Sequence, residues 1–368
     1  MHTRSTHVII DSHALRSNIK LLKDHLSVHT EIMAMVKANA YGHGIIECSR
    51  IAIEEGIKYL GIAFASEGVQ LREAGISASL LLMTPPEPEE LDAIIQHDIE
   101  TIICNVDTIK KLSEKAQSNS KTVNIHLFID SGMHRDGVHP ELALTMAHLI
   151  VSSPGLHLKG LCTHFATADS VDTSFMKEQL HIFEQCLDRL GEHNIKPELI
   201  HVGNSAAMIR IPEQIGTLAR PGLSIYGYSP IPNTFNDIKP VLQLYSAVMS
   251  LRRINKGESV SYGRSFIADK ETTIATIPIG YGDGLFRGFS GKLHCIIHNT
   301  LYPVVGNICM DECMVDIGDA DIAIGTNVTF IGGNEQIYQS AEDLAALLHT
   351  IPYEITTAIS ARVPRIIV

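Results

Sequence analysis

One lysine stands where lysine is unusual. The apolar run Ile32-Met33-Ala34-Met35-Val36 ends in Lys37, and the chain then passes through Ala38-Asn39-Ala40-Tyr41-Gly42-His43-Gly44. Such a run reads as a buried parallel strand, and the Asn/Gly cluster after it as a strand-to-helix turn. Lysine is seldom buried without a partner, because desolvating an ammonium is costly. Either the side chain snorkels to the surface, or burial depresses its pKa and makes the amine a nucleophile able to form a Schiff base. Other polar residues fall at comparable positions. Arg135 follows one apolar run, His164 ends the next, and His201, Asn204 and Ser205 end a third. Arg220 ends a fourth, followed by Gly222 and Leu223. Each alone reads as structural: a core histidine, a surface arginine, a turn glycine. Together, at one end of a strand array, they would form a site.

The elements that must position them repeat in a regular way. Counting the Lys37 strand, eight apolar runs follow one another, the others being 59–64, 80–83, 101–104, 123–130, 158–165, 199–202 and 217–219. Helical stretches or turns separate them at intervals that suit βα units. Eight such units in about 200 residues indicate an α/β fold, a (β/α)8 TIM-like barrel, whose active site belongs at the C-terminal ends of the strands. A doubly wound sheet is the alternative, but no glycine fingerprint follows the first strand. Near Pro230-Ile231-Pro232-Asn233 the pattern changes to short alternating strands, among them 241–251, 272–277, 293–297, 314–317 and 327–331, with one late helix over 341–348. The expected domains are a barrel over 12–235 and a mainly-β C-terminal domain over 236–368, with residues 1–11 packing on the latter. Ser12 reads as the N-cap of the first helix.

Composition narrows the function classes. The 368 residues carry a net charge of −12, which argues against a nucleic-acid partner, and 45% are hydrophobic, enough for a large core. No apolar stretch reads as a signal peptide or membrane span. The seven cysteines are scattered, with no CxxC pair, so no metal site is expected and a cytoplasmic location fits best.

The stretch Val36-Lys37-Ala38-Asn39-Ala40-Tyr41-Gly42-His43-Gly44 resembles the pyridoxal 5'-phosphate lysine signature of the alanine racemase family. The resemblance implies that Lys37 carries the cofactor as an aldimine and that Tyr41 helps hold its phosphate. It implies further that Arg220 faces the pyridine nitrogen, and that Asn204, Ser205, Gly222 and Leu223 serve cofactor binding, the last three at the phosphate. Arg135 matches the residue near the substrate carboxylate. His164 and His201 match a hydrogen-bonded chain between Arg220 and a catalytic tyrosine. That tyrosine is Tyr262, in Ser259-Val260-Ser261-Tyr262-Gly263. Tyr281, in Ile279-Gly280-Tyr281-Gly282-Asp283, matches a residue of the substrate entrance. Met310, in Gly306-Asn307-Ile308-Cys309-Met310-Asp311, matches a backbone contact to the substrate, with Asp311 in support. In this family Tyr262 and Met310 serve the other subunit's cofactor, so a homodimer with shared active sites is implied. The implied reaction interconverts L- and D-alanine with two bases, Lys37 and Tyr262, on opposite faces, and supplies D-alanine for peptidoglycan.

Two positions depart from the family pattern. Phe128 stands where many relatives have a lysine that becomes carbamylated and buttresses the substrate arginine, so another anion must orient Arg135. Ala361, in Ile359-Ser360-Ala361-Arg362-Val363-Pro364, stands where relatives usually carry a tyrosine beside the phosphate. The smaller residue motivates a serine or broad-specificity racemase as the alternative. A fold-sharing decarboxylase is disfavoured by Arg220 at the nitrogen position. A non-catalytic cofactor carrier would not need Tyr262 and Met310.

Overall fold

The computed structural model describes residues 4–368. They form two compact units: one comprises Ala14–Ala40 and Ile45–Lys239, the other the residues up to His13, Tyr41–Gly44 and Pro240–Val368. In chain order, β1 (His7–Ile10) belongs to the second unit. The first unit contains β2 (Glu31–Met35), β3 (Tyr59–Ile62), β4 (Ser79–Leu82), β5 (Ile99–Ile103), β6 (Val123–Phe128), β7 (Leu156–Cys162), β8 (Leu199–His201) and β9 (Leu218–Ala219).

These eight strands pair in the order β8-β7-β6-β5-β4-β3-β2-β9, and every ladder is parallel. Hydrogen bonds cross the remaining seam: Thr217 N–H donates to the Ile200 carbonyl at 2.8 Å, and Arg220 N–H to that of Gly203 at 2.9 Å. This is the TIM-like barrel that the apolar runs indicate. Its strands read as unbroken apolar runs because both faces are covered, by barrel interior on one side and helices on the other. Leu80, Leu81 and Leu82 are all fully buried. Between the strands lie helices such as Ala65–Glu73, Val106–Ser118 and Ser174–Glu192. Ile102, Phe128 and Cys162 form an apolar cluster, with Met83 and Cys104 packed against it.

The second unit is a sheet assembly. It adds β10 (Leu242–Ala247), β11 (Ser250–Ile254), β12 (Ser259–Val260), β13 (Phe266–Ile267), β14 (Thr272–Ile277), β15 (His294–Ile297), β16 (Thr300–Val305), β17 (Cys313–Gly318), β18 (Asn327–Gly333), β19 (Tyr338–Gln339) and β20 (Arg365–Ile367). The main path runs β11-β14-β17-β16-β15-β18-β10-β1-β20, with β19 on β18 and β12-β13 as a separate pair. The N-terminal strand β1 lies between β10, antiparallel, and β20, parallel. Ile254, Val260, Ala268, Ile274 and Val305 make one of its apolar clusters.

Two local expectations change. Residues 241–251 are two strands, because the chain exchanges partners at Val248: β10 pairs with β18, whereas β11 pairs with β14. Ser12 starts its helix, but its hydroxyl donates to the Val368 carbonyl at 2.5 Å instead of accepting from the helix. None of the seven cysteines is in a disulfide. No helix among the described residues is long and apolar enough to cross a membrane.

Candidate active site

In the barrel unit, β2 delivers Lys37 into an unusual turn. Ala38, Asn39, Ala40 and Tyr41 all have positive φ, at 52, 55, 53 and 54°, which is one turn of left-handed helix. Each such residue costs roughly 1–2 kcal/mol in an L-amino-acid chain, so other contacts must hold the turn. The Glu67 carboxylate accepts from Ala38 N–H at 2.7 Å and from Ala63 N–H at 2.8 Å. The Asn39 side chain accepts from Ile45 N–H at 2.9 Å, joining the turn to the next helix. The Tyr226 hydroxyl donates to the Met35 carbonyl at 2.8 Å and holds the strand end.

Lys37 is half-buried, and among the described residues it makes no hydrogen bond or ion pair. Its pKa lies below that of ordinary lysine, mainly through burial and then through the charge of Arg135. Glu67 opposes the shift and Arg220 adds to it. This is the environment of a nucleophilic amine.

Arg220 is 3% exposed, at the end of β9. It donates from Nη1 to His201 Nδ1 at 2.9 Å and to the His201 carbonyl at 2.5 Å. Its Nη2 reaches the Thr163 carbonyl at 2.7 Å, with His164 Nδ1 and the Val202 carbonyl each at 3.3 Å. Because arginine can only donate, both imidazoles present an unprotonated Nδ1 to it. The His164 pKa is pushed down to about 3 by burial, then by Arg220, Arg135 and Lys37. His201 is pushed well down by burial, then by Arg220 and His126. Both rings are therefore neutral at pH 7.

Ser205 opens the helix Ser205–Arg210, capped by Asn204, whose side chain accepts from Ala207 N–H at 2.9 Å. The Ser205 hydroxyl accepts from Gly222 N–H at 3.0 Å and from Ser224 N–H at 3.4 Å. With both acceptor sites taken, its proton is free to be donated. The Ser224 hydroxyl, also buried, has no partner among the described residues. Two buried hydroxyl donors beside the helical turn Leu223–Tyr226 fit an anionic group such as a phosphate.

Arg135 is exposed on the loop after β6. That loop is tied by Asp130, which accepts from Gly132 N–H at 3.1 Å, His134 N–H at 3.0 Å and His134 Nδ1 at 2.9 Å. Arg135 Nε donates to Asp136 at 3.0 Å. Asp136 is thus the carboxylate partner that Phe128 cannot provide. Phe128 is buried in the apolar interior cluster.

The sheet unit holds a second set. A Cβ on Gly42 would overlap the Thr356 carbonyl oxygen, and Arg365 Nε donates to the Gly42 carbonyl at 3.1 Å, so this segment is fixed against the helix Pro352–Ala358 and β20. Tyr41 lies 5.6 Å from the Tyr353 ring, and burial raises its phenol pKa. Tyr262 follows Ser261, which has φ 66°, and is 74% exposed. Asn307 Nδ2 donates to the Tyr262 carbonyl at 2.6 Å, and the Ser261 hydroxyl donates to the Asn307 carbonyl at 2.6 Å. Tyr281 N–H donates to the Cys309 carbonyl at 3.0 Å, and Gly282 N–H to the Met310 carbonyl at 2.8 Å. Three interlocked loops thereby present Tyr262, Tyr281 and Met310, all exposed, the last at 53%. Asp311 pairs with Arg362 at 2.6 Å. Ala361 is exposed beside that arginine.

The barrel brings Lys37, Arg135, His164, His201, Asn204, Ser205, Arg220, Gly222 and Leu223 into one unit. Tyr41, Tyr262, Tyr281, Met310 and Asp311 lie in the other. Glu67, Asp136, Ser224 and His126 escape the sequence reading. Glu67 alone left a local trace, as a carboxylate three residues after Phe64 at a helix start. Among the described residues no group of His, Cys, Asp and Glu could hold a metal.

Comparison with known proteins gives this constellation its context. The family models described as alanine racemase, N-terminal domain, and alanine racemase, C-terminal domain, match residues 10–230 and 241–367. The chain belongs to the alanine racemase family. The alanine racemase of Treponema denticola is 40% identical over 374 residues, covering 99% of this chain and 98% of that one. That of Clostridium novyi is 40% identical, covering 99% and 96%. A solved alanine racemase from Clostridium difficile superposes with TM-score 0.95 at 34% identity, covering 100% of this chain and 97% of that chain. The Bacillus anthracis alanine racemase with bound L-Ala-P gives TM-score 0.94 at 33% identity, covering 100% and 96%.

Proposed function

We propose that the protein interconverts L- and D-alanine with pyridoxal 5'-phosphate as cofactor. The observation that carries this reading is Lys37: an amine of depressed pKa, without a hydrogen-bond or ion-pair partner among the described residues, at the end of a barrel strand near Arg135 and Arg220. Full-length likeness to alanine racemases supports the substrate. The donors present fit the cofactor. Lys37 would hold its aldehyde carbon, and Ser205 with the Gly222–Leu223 turn its phosphate. Arg220 would face its ring nitrogen.

When bound, the cofactor supplies an electron sink for the carbanion formed at the substrate α-carbon. Arg220 cannot give up a proton, so it leaves that sink weak, which favours prompt reprotonation over competing reactions. Lys37 Nζ takes or returns the α-proton on one face. Tyr262 of the partner subunit acts on the other. Each positioned acid–base group typically contributes about 10²- to 10⁴-fold. His164, neutral and held by Arg220, orients the tyrosine hydroxyl. Arg135, steadied by Asp136, receives the substrate carboxylate, and Met310 of the partner subunit adds a backbone contact. The exposure of Tyr262, Tyr281 and Met310 on interlocked loops of the sheet unit supports a homodimer with shared sites. The product suits supply of D-alanine for peptidoglycan in the cytoplasm.

The test is chiral chromatography of cofactor-loaded protein given L-alanine. Racemisation that Tyr262→Phe abolishes while cofactor stays bound supports the reading. No racemisation of alanine overturns it. Ala361 favours a second reading, broad specificity including serine, since an apolar pocket rejects an added hydroxyl only about 10²-fold. An Ala361→Tyr variant with an unchanged alanine-to-serine ratio would remove that reading.

A further inference from the structure

The barrel interior holds a polar chain that the racemisation chemistry above does not use. His201 Nε2 lies 2.8 Å from His126 Nδ1, and His126 Nε2 lies 3.0 Å from Glu100 Oε2. Glu100 Oε1 accepts from Lys159 Nζ at 2.6 Å. His126 and His201 are fully buried, and Glu100 is 6% exposed.

Several local irregularities serve this chain. The β6–β7 register slips by one residue between Ile125↔Leu158 and His126↔Gly160, leaving Lys159 as a bulged residue. Bulges re-aim side chains, and here Lys159 reaches Glu100 while its ammonium sits 5.3 Å from the Tyr59 ring centre. At Gly160 a Cβ would overlap the His126 ring, so glycine makes room for that imidazole. A buried carboxylate, two imidazoles meeting edge-on at an interplanar angle of 66°, a bulge and a space-giving glycine coincide at one place.

The chain has a fixed polarity. Arg220 only donates, so His201 accepts at Nδ1 and carries its proton on Nε2. His126 then accepts at Nδ1 and donates from Nε2 to Glu100. Burial alone would raise the Glu100 pKa, but His126 and Lys159 outweigh it and hold the carboxylate ionised. Burial, then Arg220 and His126, keeps His201 neutral. Among the described residues Arg220 has no carboxylate in direct contact, although a buried, uncompensated cation is costly. Hydrogen-bonded chains polarise one another in a low-dielectric interior. Glu100 sits at the end of three such bonds.

We propose that Glu100, with His126, is a positioning residue for Arg220: through His126 and His201 it supplies the remote countercharge that tempers the arginine's field at the barrel mouth. A carboxylate in direct contact would neutralise that field. One placed three hydrogen bonds away attenuates it and leaves the guanidinium free to donate. The groups facing Arg220 are His201, His164, Lys37, Arg135, His126 and Cys162, none of them an anion in direct contact. The proposal rests on the reading that Arg220 faces the cofactor's ring nitrogen.

The experiment uses the full-length protein with and without pyridoxal phosphate. ¹⁵N-histidine spectra are expected to show His126 and His201 neutral and protonated on Nε2 in both forms. A cationic or Nδ1-protonated ring at either position overturns the chain. In the loaded protein, Glu100→Gln keeps a hydrogen-bond acceptor but removes the charge. The pH midpoint of the cofactor's visible absorbance should then move down by roughly half a unit to one unit, as for a buried charge at an effective dielectric near 20. Lys159→Met should move it up, and the double variant should return it towards the parent. kcat should change in the Glu100→Gln variant while the KM for alanine stays within about twofold, since no substrate contact is altered. Midpoints that do not move, or that move the same way in both single variants, overturn the proposal. If Glu100→Gln does not fold, the direction of the Lys159→Met shift decides. If the parent takes up no cofactor, the functional reading fails, while the histidine spectra still decide the polarity of the chain.

Discussion

The guanidinium of Arg135 rests on the carboxylate of its own sequence neighbour, Asp136, with Nε 3.0 Å from the oxygen. The barrel interior beneath that loop is closed by Phe128, a ring that can neither react with carbon dioxide nor accept a hydrogen bond. Within this chain the guanidinium is thus held by an ordinary carboxylate.

Activity should therefore be indifferent to dissolved carbonate. Rates in degassed, carbonate-free buffer and in bicarbonate should agree within error. Asp136→Asn should lower kcat/KM by no more than about fivefold, because an exposed ion pair is worth about 0–1 kcal/mol. A far larger loss would show that Asp136 does more than steady its neighbour.

The buried histidines predict acid sensitivity. His164, His201 and His126 all have folded-state pKa values below the ordinary 6.5. The unfolded chain takes up protons near pH 6.5 while the folded chain does not. Their contribution to stability is therefore present at pH 7.5 and is lost as pH falls through 6.5 and towards the folded values, about 3 for His164. Each histidine adds a slope approaching about 1.4 kcal/mol per pH unit. Urea unfolding at pH 7, 6 and 5 should show this, and His164→Gln should remove one histidine's share.

Glu67 couples the turn to the amine it carries. Its carboxylate binds Ala38 N–H and also raises the Lys37 pKa against burial. Glu67→Gln should shift the pH dependence of Lys37 acylation, followed by peptide mass mapping of cofactor-free protein, to lower pH. Glu67→Ala should in addition cost about 1.5–3 kcal/mol for each charged hydrogen bond lost, unless water replaces it. An unshifted Lys37 profile in Glu67→Gln would count against the coupling.

Gly42 has φ +87°, and any side chain there would overlap the Thr356 carbonyl. Gly42→Ala should lower stability by at least about 2 kcal/mol. For a chain of 368 residues each kcal/mol lost lowers Tm by about 1–2 °C. Calorimetry showing an unchanged Tm would mean that the Thr356 segment yields readily.

How much of this was legible in the sequence follows from range. Parallel barrel strands are covered on both faces, so Leu80-Leu81-Leu82 and their counterparts stand out as unbroken apolar runs. The signature around Lys37 is contiguous, and so are the segments bearing Tyr262, Tyr281 and Met310. The unread parts depend on residues far apart in the chain. Glu67 meets Ala38 across 29 residues and His126 meets His201 across 75. Neither pair leaves a periodic trace. The break at Val248 was hidden because β10 and β11 share one alternating pattern while pairing with different neighbours. The left-handed turn was hidden as well, because Ala38 and Ala40 are ordinary helix formers held by distant contacts.

The placement of β1 bears on how the chain is made. β1 is wedged between β10 and β20, so one of its hydrogen-bonding edges has no partner until Leu242–Ala247 has been made and the other none until Arg365–Ile367 has. At about 5–20 residues per second the first partner follows after roughly 10 to 50 s and the second after roughly 20 to 70 s. The barrel strands between can close long before then. β1 is thus a bare strand until β10 has emerged and keeps one open edge until β20 follows, the kind of segment that other chains can capture.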